Sequence, residues 1–259
     1  MTNQITWMPK MFHCLEETPK LSVIIPAFNE AACIEYTLKR IYEYLSGKGM
    51  DFEVLVVDDG SGDSTREIVL KAAESMPLIR LIKNGVNRGK GYSVKNGFLE
   101  SAGGLVLFSD ADLSTPIEEL GRFLGEAGKG ADIVIGSRAL KESKIIRRQP
   151  IYRIIMGKTF NVLVRLLTVQ GIADTQCGFK LFHRETCRQI FLAQRVERFA
   201  FDVEILFLAK RKGLIISELP VHWVNSPLSK VHLVRDSARM LLDIFMVRWW
   251  YLLRYYHGF

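Results

Sequence analysis

The chain has 259 residues, 48% of them hydrophobic and 24% charged, with a formal net charge of +7. At roughly 100–200 residues per domain this is one large domain, or one domain with an appendage, and the composition excludes a disordered, collagen-like or low-complexity protein. Four cysteines (Cys14, Cys33, Cys177, Cys187) without CxxC spacing exclude a disulfide scaffold or zinc knuckle and fit a reducing compartment.

The first half alternates strand and helix. Leu21–Ala27 is a short continuous apolar run, as in a strand buried on both faces. Helical spacing runs from Glu30 to Leu45 and stops at Gly47 and Gly49. FEVLVVDDG is a second strand ending in acids, and a helix follows from Asp63. Ile79–Lys83 is a third strand, followed by the glycine-rich turn NGVNRGKGYS and a helix to Glu100. GLVLFSDADLS is a fourth strand, Pro116 marks the next helix start, and ADIVIGSR is a fifth strand. Repeated strand–helix units predict an α/β fold, a mostly parallel twisted sheet with flanking helices.

The second half is less regular. The spacing predicts a helix over Ile151–Thr168, a loop entering a short strand at DTQCGFKLF, and a helix over Phe199–Lys212 ended by Gly213. A strand interrupted by Pro220 follows, then a final helix from Asp236. The expected division is an extension over 1–20, a catalytic domain over 21–225, and a C-terminal amphipathic helical element over 226–259.

Charge is concentrated. Between Arg138 and Arg165 eight basic residues face one acid, Glu142, so this stretch carries a charge equal to that of the whole chain. Such a surface suits phosphate, anionic lipid or nucleic acid, unless it is only a solvated helix face. The stretch has no nucleic-acid recognition pattern, and its Ile, Leu, Met and Phe content suits lipid, so no nucleic-acid partner is expected. No signal peptide and no membrane-spanning run is found. The terminal run RMLLDIFMVRWWYLLRYYHGF mixes aromatics with arginines. That suits a helix lying in a membrane interface, or one packed on the core or on a second copy of the chain in a homo-oligomer.

In an open parallel sheet, ligands bind outside the carboxyl ends of the strands. Polar groups recur there: Asn29 and Glu30, Asp58 and Asp59, Asp110 and Asp112, Ser137 and Arg138. Two carboxylates one residue apart, as in Asp110-Ala111-Asp112, repel unless a cation joins them. A hard divalent ion, Mg²⁺ or Mn²⁺, would do so and complete its shell with water and substrate phosphate, although the pair could also cap the following helix. The turn NRGKGYS fits neither a P-loop nor a dinucleotide fingerprint, but as a tight turn at a helix start it could hold a phosphate through backbone N–H groups, Arg88 and Lys90. No Ser/His/Asp arrangement stands out, and Cys177 reads as a packing residue.

LSVIIPAFNE, VVDDGSGDST, NRGKGYSVKNG, FSDADLSTP, GSR, DTQCGFKLF, FAFDVEIL and Ser229-Lys230-Val231 together resemble family 2 glycosyltransferases of the GT-A fold. The resemblance is nearest to the dolichyl-phosphate β-glucosyltransferase and polyprenyl-phosphate branch. It implies inverting transfer of glucose from UDP-glucose to a dolichyl or undecaprenyl phosphate, releasing UDP. The same fold with GDP-mannose, UDP-GlcNAc or another donor, or with a polysaccharide acceptor, is the alternative. It also implies residue roles. Pro26, Ala27, Phe28 and Glu30 line the nucleoside pocket, with Asp58 and Asp59 reading uracil and ribose and Lys90 holding the nucleotide. Asp110 and Asp112 carry Mg²⁺ or Mn²⁺ and the diphosphate beside Ala111. Arg138, Arg147 and Lys230 bind the acceptor phosphate. Asp174 orients the nucleophile or contacts the sugar, and Asp202 faces the site or only caps its helix. Eukaryotic members of the branch usually carry an N-terminal membrane anchor. Residues 1–20 offer no apolar run for one, so peripheral attachment to the cytoplasmic face of a membrane is expected from the basic stretch and the terminal helix.

Overall fold

The structure, a computed structural model, describes residues 21–147, 168–224, 233–256 and 258–259. Nine strands occur among them: β1 (Leu21–Ala27), β2 (Phe52–Asp58), β3 (Ile79–Lys83), β4 (Leu105–Ser109), β5 (Ile133–Ser137), β6 (Lys144–Arg147), β7 (Phe179–His183), β8 (Ile216–Pro220) and β9 (His222–Val224). The helices are α1 (Ile34–Gly47), α2 (Thr65–Ser75), α3 (Lys90–Glu100), α4 (Leu120–Gly128, preceded by a 3₁₀ turn over Ile117–Glu119), α5 (Arg184–Ala193), α6 (Phe201–Arg211) and α7 (Leu233–Leu252). Seven strands form one sheet in the order β3-β2-β1-β4-β7-β5-β8, and β6 pairs with β9 in a small parallel ribbon.

Alternation along the strands builds two cores. Leu21, Val23 and Ile25 of β1 face the layer of α1, α2 and α4. Ile24 of β1, with Val106 and Phe108 of β4, faces α3, α5, α6 and α7. Since each side chain points opposite to the next, a strand covered on both faces reads as an unbroken apolar run, as β1 and β2 do. Helix α6 is buried at every position from Phe201 to Ala209, because α5 and α7 close over the side not covered by the sheet.

All pairings in the large sheet are parallel except those of β7, which runs antiparallel between β4 and β5. A reversed strand begins where its parallel neighbours end. The segment Asp174–Gly178 that leads into β7 therefore lies at the carboxyl ends of β4 and β5, and the Asp110 amide donates to the Gly178 carbonyl at 3.0 Å.

Several boundaries differ from expectation. The first helix begins at Ile34 rather than Glu30, because residues 29–31 are tied to the loop after β2. The last begins at Leu233 rather than Asp236. It buries Met240, Ile244 and Val247 in the same core as α6. The helix expected over Ile151–Thr168 lies outside the described residues except for Thr168.

Candidate active site

The loops after β1 and β2 are stitched together. The Asn29 amide donates to Ser61 Oγ at 2.9 Å, the Gly62 amide to Asn29 Oδ1 at 2.7 Å, and the Glu30 amide to Thr65 Oγ1 at 2.8 Å. Asn29 has a φ of +55°, a left-handed turn that its side chain supports. Pro26, Ala27, Phe28 and Glu30 thus share one rim with Asp58, which pairs with Ala27 in the β1–β2 register. The Asp58 carboxylate is buried, accepts from the Gly60 and Ser61 amides, and lies 3.3 Å from Arg66 Nε. Asp59 is buried too. One of its oxygens accepts from Asn84 Nδ2 and the Arg88 amide, at 2.8 and 3.0 Å, and the other from the Gly89 amide at 2.8 Å. Its carboxylate therefore fixes the turn before α3.

Four amides of that turn are used within the protein. The Arg88 and Gly89 amides go to Asp59, Tyr92 N–H donates to the Glu197 carbonyl, and Ser93 N–H donates to the Gly89 carbonyl. Arg88 itself pairs with Glu197 and stacks on Tyr92 with its guanidinium 3.5 Å from the ring centre. The glycines serve close packing. A Cβ on Gly89 would lie 2.5 Å from the Glu197 carbonyl oxygen, and one on Gly91 would lie 2.6 Å from Phe201 Cβ. The turn is pressed against residues 196–201, and from it Lys90 reaches the site.

Lys90, Asp110, Asp112 and Asp202 come together. Lys90 Nζ lies 2.6 Å from Asp110 Oδ1. Burial lowers the affinity of that amine for its proton, but Asp110, Asp202 and Asp112 outweigh it and the pKa is raised. Asp112 Oδ1 accepts from the Ser114 amide at 2.9 Å, and Thr37 on α1 donates to the Ala111 carbonyl at 2.6 Å, so the turn is fastened on both sides. Asp202 is buried and bonds Lys180 Nζ at 2.6 Å. Burial pushes its carboxyl up, while Lys180 and Lys90 act against this. Lys180 is a residue that the sequence reading passed over. It lies opposite Phe108 in the β4–β7 register, is 1% exposed, and also donates to the Cys177 carbonyl. A lone lysine between apolar residues in Phe-Lys-Leu-Phe was the available signal, since an amine so placed must meet a carboxylate.

Asp110 and Asp112 suit a hard divalent cation. Among the described residues no group of three His, Cys, Asp or Glu side chains is placed for a metal, so a cation here would draw its other ligands from water and substrate phosphate. Asp110 already takes a positive partner in Lys90, which shows the charge this carboxylate demands.

Arg138, just past β5, forms a forked pair with Asp174. Its Nε donates to Oδ2 at 2.6 Å, its Nη2 to Oδ1 at 2.9 Å, and its backbone amide to Oδ2 at 3.0 Å. Glu218 holds the Ala173 and Asp174 amides from beneath. Burial works against the Asp174 charge, but Arg138 overrides it and holds the carboxyl down at about 2. Asp110 in turn helps keep Arg138 charged, which links the pair to the acidic turn, and the guanidinium sits 5.5 Å from the Trp223 ring centre. Cys177 is buried and its thiol is pushed up to about 11, chiefly by that burial, so it is no nucleophile. Arg147 ends β6, with its side chain outside the described residues, and Lys230 lies outside them altogether.

The Arg138–Asp174 pair sets an acid limit on stability. Because the Asp174 pKa is depressed, its contribution is complete above about pH 4, the unfolded value, and is lost as pH falls toward 2. Asp174→Asn should lose roughly 2–3 kcal/mol at neutral pH, and its urea midpoint should converge on that of the parent near pH 2. A constant gap across that window would show that the pair is not the source.

Residues 22–191 match the family model for glycosyl transferase family 2. The chain is 40% identical over 245 residues to the dolichyl-phosphate beta-glucosyltransferase of Dictyostelium discoideum, covering 90% of this chain and 75% of that one. It is 36% identical over 263 residues to the same-named protein of Saccharomyces cerevisiae (94% and 78% covered) and 35% over 251 residues to that of Homo sapiens (91% and 76%). The fold resembles that of Mycobacterium tuberculosis glucosyl-3-phosphoglycerate synthase, solved with Mn²⁺, UDP and glucosyl-3-phosphoglycerate. The TM-score is 0.64 at 18% identity, over 96% of this chain and 85% of that one. Mannosyl-3-phosphoglycerate synthase from Rubrobacter xylanophilus gives 0.64 at 19% identity, over 91% and 74%. With its mostly parallel sheet of GT-A type and an acidic turn at the end of β4, the chain belongs to glycosyl transferase family 2 and is a glycosyltransferase.

Proposed function

We propose that the protein transfers glucose, with inversion, from UDP-glucose to a polyprenyl phosphate, dolichyl phosphate foremost, in a reaction that requires Mg²⁺ or Mn²⁺. The observation that carries this reading is the meeting of Asp110, Asp112, Lys90 and the Asp174-held Arg138 at the carboxyl ends of β4 and β5. The names of the relatives point to glucose and a dolichyl phosphate.

The nucleoside lies along Pro26, Ala27, Phe28 and Glu30, with Asp58 at its base and Asp59 acting through the turn it holds. The diphosphate lies over Asp110, Ala111 and Asp112. A divalent cation held by those two carboxylates and the diphosphate would offset charge on the departing UDP. Lys90, charged and beside Asp110, would offset charge on the diphosphate, and Asp110 and Asp112 are the carboxylates that would hold such a cation. An alkyl monophosphate, with a second pKa of about 6, is mostly ionised near neutral pH and needs positioning more than a base. Arg138 supplies that, and Arg147 and Lys230 are proposed to add charge toward the same acceptor phosphate. Asp174 spends both oxygens on Arg138, so it acts as a positioning residue. Asp202 sets the charge around Lys90 through Lys180.

No helix among the described residues is long and apolar enough to cross a membrane. The proposed placement is peripheral, on the cytoplasmic face, with the outward side of α7 against lipid.

Asp112→Asn tests the reading. Its transfer rate and its Mn²⁺-dependent affinity for UDP should each fall on the order of 100-fold, the scale on which lost transition-state electrostatics is felt. Near-normal turnover without a metal requirement would refute the acidic-turn assignment. A donor panel with a polyprenyl phosphate acceptor tests glucose itself.

A further inference from the structure

Helix α7 ends in a turn that sends the chain back onto the core. Arg254 has a φ of +58°, its amide donates to the Tyr251 carbonyl at 3.1 Å, and the Tyr255 amide donates to the Trp250 carbonyl at 2.9 Å. Those two bonds and the left-handed residue close the helix as a Schellman turn does, here with arginine where glycine is usual. Tyr256 follows, buried, and its hydroxyl donates to Glu204 Oε1 at 2.6 Å.

Glu204 is fully buried in α6. Its Oε1 also accepts from the Arg195 amide at 2.9 Å, and its Oε2 from the Val196 amide at 2.8 Å. Burial pushes this carboxyl up, while the Tyr256 hydroxyl, the two amides and Lys95 act against that. Arg195 ties the same segment to the tail a second time. Its Nη2 donates to the Tyr255 carbonyl at 3.1 Å, and its guanidinium lies 5.8, 5.4 and 6.0 Å from the ring centres of Trp250, Tyr255 and Tyr256.

The segment so held is what caps α3. That helix starts at Lys90 with no side-chain cap, because Gly89 stands at the cap position with a φ of +117°. The Tyr92 amide, in the first turn, finds the Glu197 carbonyl at 2.9 Å instead. Gln194 Nε2 bridges the Gly91 and Val196 carbonyls, at 2.9 Å each. A Cβ on Gly91 would lie 2.8 Å from both the Val196 and Arg198 carbonyl oxygens, so turn and segment are in direct backbone contact. Residues 194–198 thus supply from elsewhere in the chain the cap that α3 lacks, and Lys90 is the first residue of that helix.

We propose that Tyr256 and Glu204, helped by Arg195, are positioning residues for the nucleotide site: they fix residues 195–197, which cap α3 and set Lys90 against Asp110. The inference rests on the reading of Lys90 as a group facing the diphosphate, and it adds the distant contacts that place it. All three residues lie beyond the stretch 22–191 that the family model matches. The hydroxyl and the two amides bond one buried carboxylate, so taking away the hydroxyl leaves that group short of a partner and loosens what the amides hold.

Tyr256→Phe removes the hydroxyl and keeps the ring in the core. Arg195→Met cuts the second tie at an exposed position, and carries the test should Tyr256→Phe fail to fold. Each is measured on the full chain by calorimetric titration with UDP plus Mn²⁺ and by amide hydrogen exchange. UDP affinity should fall about fivefold to tenfold in both, the scale of coupling within one hydrogen-bond network, and exchange should quicken over residues 195–197 and at Tyr92. Ile244→Val, which thins the core under α7 and touches neither tie, should keep UDP affinity within about twofold of the parent. In a Lys90→Gln background, Tyr256→Phe should change UDP affinity by less than about twofold, since groups acting through one another are not additive. An equal loss in both backgrounds, the same loss in Ile244→Val, or parent-like affinity in Tyr256→Phe would overturn the proposal and leave the clasp to stability alone. If Lys90→Gln itself binds UDP as the parent does, the role of Lys90 at the diphosphate falls. Exchange at Tyr92 then decides the clasp: quickened in Tyr256→Phe it upholds the hold on the turn, and unchanged it overturns it.

Discussion

Gly178→Ala should lower glycosyl transfer on the order of 100-fold while leaving the protein folded. A Cβ at this position would stand 1.9 Å from Asp110 Oδ2, 2.1 Å from Cγ and 2.4 Å from Oδ1, so the whole carboxylate has to move. The Asp110 amide is bonded to the Gly178 carbonyl, which prevents the two backbones from separating. What gives is the Asp110 side chain, which is part exposed and can swing outward, away from Lys90 and from the position opposite Asp112. Gly178 is not in the left-handed region, so alanine is conformationally acceptable there and the stability cost should be small. The measurements are Mn²⁺-dependent UDP affinity and transfer rate, with the thermal midpoint alongside. Activity within a few-fold of the parent would mean that Asp110 has no fixed position to lose.

That glycine shows where the sequence could be read and where it could not. DTQCGFKLF was legible as a loop entering a strand, but not as a strand reversed between β4 and β5. The reversal puts Gly178 under Asp110, a relation 68 positions apart in the chain that no local pattern carries. Strands β1, β2, β4 and β5 were legible because burial on both faces leaves an apolar signature in adjacent residues. The acidic turn was legible for a related reason: polar groups ending a buried strand have nowhere to go but a site or a cap. Asp59 and the glycines of the turn after β3 looked like ligand-binding features. Their partners are Asn84, Arg88 and Glu197, and only the folded chain reveals that both carboxylate oxygens and four amides are already taken.

Lys180→Met should destabilise the protein by about 3–5 kcal/mol, the cost of leaving one member of a buried ion pair without the other. The lysine amine and Asp202 are both buried and 2.6 Å apart, and the amine's other bond goes to the Cys177 carbonyl in the segment carrying Asp174 and Gly178. Without the amine, Lys90 is the cation named among the described residues that still acts on Asp202, and Lys90 is the group that faces Asp110. The carboxyl of Asp202, already raised by burial, rises further in the variant. A carboxyl raised above its unfolded value favours the folded state while protonated and costs stability as pH climbs through its folded pKa. The urea midpoint of Lys180→Met should therefore lie nearest the parent around pH 4 and fall away toward pH 8. Removing both charges, Lys180→Met/Asp202→Leu, should restore most of the stability, since no uncompensated buried charge remains. It should not restore donor binding, because Lys90 then has Asp110 and Asp112 alone to answer to and holds them more tightly against an incoming cation. Recovery of stability without recovery of Mn²⁺-dependent UDP affinity would assign the pair to setting the charge at the acidic turn. Recovery of both would reduce it to packing.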